Sequence, residues 1–215
     1  QLKILSDQKP TQVEQENPFL TSKVKRKLDT KDCRVLFLYP NERGMSTIPP
    51  SITSLSQILK DEGHQTALFD TTFYKFDDEI SIEDSEITKS KSLENRPVLE
   101  RDDDDIHFKK TTRSAILDFE ASIESFKPDF IAVSCTETTF LRAIKLIDQT
   151  RHKNIKNLFG GVFPTFAPDL VMNYKNVDMV CVGEGENAII DLANSISNDE
   201  DYSNVTNLWI KQNDG

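Results

Sequence analysis

Short, continuously apolar runs recur along the chain and predict β-strands. The first is Val35-Leu36-Phe37-Leu38-Tyr39, which ends at Pro40. Runs of this length without polar alternation are typical of strands that are buried on both faces of a parallel sheet. The other predicted strands cover residues 66–69, 130–133, 157–160 and 179–182. Leu208-Trp209-Ile210 is a further candidate, for an edge strand.

Between these runs, apolar residues recur three or four positions apart, which predicts amphipathic helices. The predicted helices cover residues 52–59, 116–126, 140–147, 167–173 and 189–196. Ser51 is predicted to cap the first of them, and Gly63 to follow its end in the left-handed conformation. Strands that alternate with helices predict an α/β fold: a doubly wound, mostly parallel five-stranded sheet with helices on both faces, Rossmann-like or flavodoxin-like.

Polar stretches divide the chain further. Residues 1–32 are predicted to form a partly disordered polar leader, and residues 33–198 the α/β domain, with a polar insertion at about 74–111. Residues 199–215 are expected to hold the edge strand and a linker to a further domain. The chain does not begin with Met and ends on a turn sequence, so we expect it to be cut from a longer protein.

Composition narrows the possible partners. A net charge of −10 and a pI near 4.8 argue against nucleic acid, because phosphate backbones require clustered Lys and Arg. No run of about 18 apolar residues or signal segment predicts a membrane span or export, so a cytoplasmic location is expected. Cys33, Cys135 and Cys181 lie in or beside apolar runs and are predicted to be buried.

The candidate binding residues directly follow the strands. In open α/β sheets, ligands bind beyond the carboxyl ends of the strands, and five of the seven glycines fall in these loops. The candidates for binding a cofactor are Asn41, Arg43, Ser134, Thr136, Glu137, Gly160, Gly161, Phe163, Pro164, Thr165, Gly183, Glu184, Gly185 and Glu186.

Several of these candidates also have a purely structural interpretation. Gly160 and Gly161 leave room for a flat macrocycle or its nucleotide tail to approach the backbone, or they form a tight turn. The hydroxyl of Ser134 or of Thr136 can bond a ligand or cap the next helix. Glu184 and Glu186 can either contact a ligand or stabilise the start of the helix that follows them.

Taken in order, these motifs resemble the N-terminal cobalamin-binding domain of cobalamin-dependent radical S-adenosylmethionine enzymes. The resemblance covers roughly residues 33–75 and 113–198. The motifs that carry it are Glu62-Gly63-His64, Asp70, Lys127-Pro128-Asp129 with Ser134, Gly160-Gly161-Val162-Phe163-Pro164-Thr165, and Asp178 followed by Gly183-Glu184-Gly185-Glu186.

The resemblance implies that the domain binds cobalamin with its base displaced from cobalt and no protein histidine in its place. The Asp-x-His-x-x-Gly motif of other cobalamin carriers is absent, and His64, His107 and His152 are interpreted as surface residues. Asn41 and Arg43 are the candidates for the lower face of the corrin.

The resemblance further implies a C-terminal radical S-adenosylmethionine domain that holds a [4Fe-4S] cluster and S-adenosylmethionine and acts on a small molecule. The expected reaction is methyl transfer from methylcobalamin to an unactivated carbon, with cyclisation or rearrangement as the alternative.

Within the chain itself, no catalytic or metal-ligating residue is predicted. Response-regulator, nicotinamide and flavin domains are disfavoured because their loop signatures are missing. A docking or substrate-gating module that keeps the fold without the cofactor stays open.

Overall fold

The structure of the protein is a computed structural model, which describes residues 32–41, 49–76 and 111–211. Its six strands are β1 (Arg34–Tyr39), β2 (Gln65–Asp70), β3 (Phe130–Ser134), β4 (Lys156–Gly160), β5 (Met179–Cys181) and β6 (Leu208–Ile210). The helices are α1 (Pro50–Asp61), α2 (Ala115–Phe126), α3 (Glu137–Thr150), α4 (Val162–Phe166), α5 (Pro168–Met172) and α6 (Glu186–Ser197), with a 3-10 turn at Arg151–Lys153.

The strands form one sheet in the order β2-β1-β3-β4-β5-β6. The first five are parallel, and β6 pairs with β5 in the antiparallel direction. The predicted fold, including the edge strand, is therefore confirmed. This order reverses its direction between β1 and β3, and such a switch point opens a crevice at the carboxyl ends of the strands.

Helices cover both faces of the sheet, which explains why the strands are apolar throughout. One face packs against α1 and α6 through buried side chains such as Ile52, Leu59 and Leu192. The other face packs against α2, α3 and α5 through residues such as Phe119 and Phe140. Each layer buries the apolar stripe of its helices against the sheet.

One local prediction is wrong, and two others are confirmed. Ser51 does not cap α1, because the helix already begins at Pro50, where the fixed φ of proline suits the first helical position. The helix predicted at 167–173 is confirmed as α5, and α4 precedes it as a further short helix that was not predicted. Ala167, with φ −135° and ψ 53°, separates the two. Proline at 168 disfavours helical geometry in the residue before it. Gly63 also has the predicted positive φ of +94°.

The predicted insertion at about 74–111 lies largely outside the described residues. Its ends meet in an isolated parallel bridge between Tyr74 and Thr111, in which the Thr111 amide donates to Phe73 O at 2.7 Å. The leader and the residues after 211 are also outside the described part, so the domain boundaries stay predictions. In the described ranges, no helix is both long enough and apolar enough to cross a bilayer.

Candidate cofactor-binding site

Two adjoining cavities lie at the carboxyl ends of the strands. The inner cavity, of about 150 Å³, lies between α1, α6 and the sheet. The outer cavity, of about 460 Å³, lies over the loops that follow β1 and β3. Ser51, Ser134 and Gly161 line both cavities, so the two form one continuous concave surface at the predicted edge of the sheet.

Nine of the predicted residues line this surface. The predicted residues that line the inner cavity are Ser134, Gly160, Gly161, Gly183, Glu184, Gly185 and Glu186. Those that line the outer cavity are Asn41 and Thr136, together with Ser134 and Gly161.

The adjacent glycines at the end of β4 have different physical roles. Gly161 has φ +106°, and a Cβ there would stand 2.7 Å from the carbonyl oxygen of Cys135. Only glycine fits this backbone. Gly160 has no positive φ, and its Cβ would meet Cys181 Cβ at an ordinary 3.8 Å. The missing side chain at 160 therefore serves no backbone requirement and leaves the inner cavity open.

The glycines after β5 differ in the same way. Gly183 has φ +86°, in the left-handed region that favours glycine, whereas Gly185 has φ −101°, which any residue can adopt. A Cβ at Gly185 would lie 3.7 Å from Cys181 Sγ and 3.9 Å from Leu55, both ordinary contacts. Gly160 and Gly185 thus keep space free on either side of Cys181, inside the same cavity.

The hydroxyls of Ser134 and Thr136, at the end of β3 and just after it, have separate roles. Thr136 is the cap residue of α3, and its amide donates to Thr139 Oγ1 at 3.0 Å. This supports the capping interpretation for Thr136. Ser134 lies at the last position of β3 and faces both cavities. Its hydroxyl makes no hydrogen bond to any other residue in the described ranges, so it is available to a ligand.

The loop after β1 is fixed by hydrogen bonds to the loop after β2 and to α3. The Asn41 amide donates to Thr72 Oγ1 at 3.0 Å. The Asn41 carbonyl accepts from Thr71 Oγ1 and from Arg142 Nη1, both at 2.9 Å. The Arg142 guanidinium also stacks over the ring of Phe76 at 4.2 Å. The outer cavity therefore has a rigid floor at Asn41, while Arg43 lies outside the described residues.

Four candidates do not line either cavity. Phe163 packs its ring 5.1 Å from that of Phe140, and Pro164 is buried in α4. Thr165 Oγ1 accepts a hydrogen bond from the Gly183 amide at 3.2 Å, which holds the β5 loop against α4. Glu137 is the first residue of α3. Their cofactor contacts stay predictions, since nothing in the geometry tests them.

Acidic side chains stand beside a buried thiol at the inner cavity. Glu184 is exposed, and Glu186 begins α6, where the helix dipole favours a carboxylate. Burial, together with these two carboxylates, raises the pKa of the Cys181 thiol to about 11. The thiol is therefore neutral at physiological pH, and all three cysteines are buried as predicted.

The histidine at position 64 corrects the sequence interpretation. His64 is buried, not on the surface, and its Nδ1 accepts a hydrogen bond from the Cys33 amide at 3.2 Å. Burial lowers the pKa of its imidazole. His152 is exposed, as expected, and His107 lies outside the described residues. Both described histidines precede strands, at the sheet edge opposite the cavities.

Other parts of the motif series are structural and lie at this opposite edge. The Asp129 carboxylate accepts from the Arg34 amide at 2.7 Å and so joins the starts of β3 and β1. Asp178 is buried and accepts from the Asn157 amide nitrogen at 3.1 Å and from its side chain at 2.8 Å. Arg151 pairs with the same carboxylate at 3.0 Å. These contacts align the strands and do not form part of the site.

Sequence reasoning missed the inner wall of the site. The inner cavity is also lined by Phe37, Ile52, Leu55, Ala132, Leu158 and Ile189. In the sequence these residues are indistinguishable from core. One signal was present: 132 and 158 each precede a candidate residue by two positions, and residues two apart share one face of a strand.

Comparison with known proteins points to the same family as the motifs. Residues 98–193 match the B12 binding domain family. The match confirms the resemblance predicted from the motifs, and it includes the loops that follow β3, β4 and β5. The chain is also 27% identical over 99 residues to an uncharacterized methyltransferase of Pyrococcus horikoshii, across 45% of this chain and 22% of that protein.

Solved structures of larger proteins share the fold of this chain. The radical S-adenosylmethionine methyltransferase TsrM from Kitasatospora setae, with cobalamin and a [4Fe-4S] cluster bound, matches 86% of the chain with a TM-score of 0.59 and 18% identity. The apo form of the cobalamin-dependent S-adenosylmethionine radical enzyme OxsB matches 86% with a TM-score of 0.54 and 16% identity. The chain spans 30% and 21% of those proteins.

Proposed function

We propose that the domain binds cobalamin at the carboxyl edge of its sheet, with the nucleotide tail in the inner cavity and the corrin over the outer cavity. The observation that carries this proposal is the pair of glycines, Gly160 and Gly185, which have no conformational need to be glycine and keep the inner cavity open. The shared wall at Ser134 and Gly161 lets one ligand occupy both cavities.

The chain's own residues bind and orient the cofactor. Ser134 offers a hydroxyl that no residue of the described ranges engages, where the tail passes from the outer to the inner cavity, and Gly161 lets the ligand approach the backbone. Asn41 and Arg43 are the proposed neighbours of the lower corrin face. When bound, cobalamin supplies a cobalt centre that carries a methyl group.

We propose a base-off state without a histidine ligand. His64 and His152 lie at the edge of the sheet where the strands begin, and the cavities lie at the edge where the strands end. Strands of five or six residues span roughly 17–20 Å, which separates both histidines from the cavities. After reduction to cob(II)alamin, electron paramagnetic resonance should show no nitrogen hyperfine splitting from an axial ligand. Splitting that changes on 15N labelling of histidine would contradict this state.

The whole protein is proposed to be a radical S-adenosylmethionine methyltransferase. The similarity to TsrM and to the Pyrococcus horikoshii protein supports this proposal. Its catalytic domain would follow in cis, hold the [4Fe-4S] cluster and S-adenosylmethionine, and transfer the methyl group to an unactivated carbon of a small molecule. Val162, which lines the outer cavity, and Phe166 and Leu170 on α4 and α5 have exposed side chains that offer apolar surface to such a domain.

Retention of hydroxocobalamin through gel filtration tests the binding proposal. The wild-type chain is expected to elute with the visible spectrum of the corrinoid. Gly160→Leu should lose the colour, because its side chain fills the inner cavity. Ala121→Leu adds bulk at an exposed position of α2, on the opposite face of the sheet, and should keep the colour.

Two results would contradict the proposal. A colourless wild-type chain would favour a cofactor-free docking module. Equal retention by wild type and Gly160→Leu would place the cofactor elsewhere.

A further inference from the structure

We infer that the inner cavity selects among corrinoids by the base of their nucleotide tail, and prefers an apolar benzimidazole over adenine. This inference rests on the proposed binding of cobalamin. It adds a specificity to the same site: the wall of the cavity, and not only the corrin surface, determines which corrinoid the domain accepts.

The inner wall is apolar, and its side chains are almost completely buried. Phe37, Ala132 and Leu158 line it from the sheet, and Ile52 and Ile189 line it from α1 and α6. Each of these five side chains is at most 5% exposed. Their side chains provide no hydrogen-bond donor or acceptor to a group at this depth.

Polar groups of the cavity lie at its rim. Ala132 precedes Ser134 by two residues, and Leu158 precedes Gly160 by two, so the rim stands one strand period, about 7 Å, further out. Ser134 and Ser51 also line the outer cavity and therefore belong to this rim, and the remaining polar side chains of the lining are Glu184 and Glu186. A polar atom at the inner end of a bound base, beside Ala132, is therefore about one strand period from the Ser134 hydroxyl.

Three main-chain acceptors of the cavity lining each already accept one hydrogen bond. The carbonyl oxygens of Gly160, Gly161 and Gly185 each accept an amide hydrogen, at 3.1, 3.2 and 2.9 Å respectively. An inserted amino group would have to compete with these bonds or remain without a partner. Burying a polar group without a partner is unfavourable.

The orientation of the base follows from its covalent structure. The ribose is attached to the five-membered ring, so the six-membered ring enters the cavity first and meets the inner wall. In 5,6-dimethylbenzimidazole that ring carries two methyl groups. In adenine it carries two ring nitrogens and an exocyclic amino group. The apolar wall matches the first base and leaves the polar atoms of the second unsatisfied.

Titration of the 215-residue chain with three corrinoids tests the inference. The probes are hydroxocobalamin, its adenine-tailed counterpart and cobinamide, which lacks the nucleotide. Dissociation constants come from the change in visible absorbance. We expect hydroxocobalamin to bind about tenfold to a hundredfold more tightly than the adenine form, and cobinamide to bind more weakly than hydroxocobalamin.

The contrary outcomes separate the two proposals. If the cobalamin and adenine forms bind equally and both more tightly than cobinamide, the selectivity is overturned and cofactor binding stands. If cobinamide binds as tightly as both, the tail lies outside the inner cavity and the inference also fails. If no corrinoid binds, cofactor binding itself is overturned.

A variant of the inner wall provides an independent check. Ala132→Ser adds one hydroxyl to the apolar wall with little change in volume. It should narrow the preference for hydroxocobalamin over the adenine form severalfold. A variant that unfolds as wild type does in urea, yet keeps the wild-type ratio of dissociation constants, would contradict the role of the wall.

Discussion

Alanine is expected to have different effects on stability at the two adjacent glycines, Gly160 at the end of β4 and Gly161 directly after it. Gly161 has φ +106° and ψ −168°, a region that is almost restricted to glycine and costs another residue about 1–3 kcal/mol. The new Cβ would also stand 2.7 Å from Cys135 O, so β3 and β4 would have to separate. We expect Gly161→Ala to lower the free energy of unfolding by about 3 kcal/mol or more.

Gly160→Ala is the matched control. Its backbone has no positive φ, and the added Cβ makes only an ordinary contact of 3.8 Å with Cys181 Cβ. Alanine also reduces the conformational entropy of the unfolded chain. The expected change in the free energy of unfolding is therefore between zero and a gain of about 1 kcal/mol.

Urea unfolding followed by far-ultraviolet circular dichroism measures both changes. With a slope of about 2 kcal/mol per M, a loss of 3 kcal/mol moves the midpoint down by about 1.5 M. The midpoint of Gly160→Ala should equal or exceed that of wild type. A Gly161→Ala midpoint within about 0.3 M of wild type, or equal losses in both variants, would refute the separate roles of the two glycines.

Three further predictions concern buried groups away from the cavity rim. Asp178→Ala leaves the Asn157 amide and side chain without their buried acceptor and should cost about 3 kcal/mol in urea unfolding; a loss below about 1 kcal/mol would contradict this role. Burial lowers the pKa of His64, so the unfolded chain takes up the proton first and stability should fall as the pH drops below about 6.5. His64→Asn, which keeps an acceptor for the Cys33 amide, should flatten this dependence in midpoints measured at pH 7.5 and 5.5, and an unchanged slope would assign it to other groups. The three cysteine thiols have pKa values raised by burial to about 11 or 12, so a disulfide reagent at pH 8 should label them only in denaturant, and rapid labelling of the folded chain would show that a thiol is accessible.

Most of the fold could be predicted because hydrophobic periodicity is a local property. The continuous apolar run at 35–39 reflects a strand buried on both faces, and the amphipathic pattern of α3 reflects a helix buried on one side. The break between α4 and α5 was also readable, since Ala167 precedes a proline. The burial of His64 was not, because it depends on Cys33, thirty-one residues away in sequence and adjacent only in the folded sheet.

The candidate site could be predicted to the level of its loops. Ligand sites at strand ends follow from topology, so Ser134 and Gly160 were found. The separate roles of Gly160 and Gly161 depend on φ and on a neighbouring carbonyl oxygen, neither of which the sequence displays. The inner wall, including Leu158, resembled ordinary core because a cavity between two helices has no sequence pattern of its own.

The position of bound cobalamin in a crystal structure tests the central claim most directly. Electron density for the benzimidazole between α1 and α6, beside Gly160 and Gly185, with the corrin over Ser134 and Asn41, is the expected result. A cavity filled by side chains from α1 and α6, with the corrin bound elsewhere or absent at saturating concentration, would contradict it.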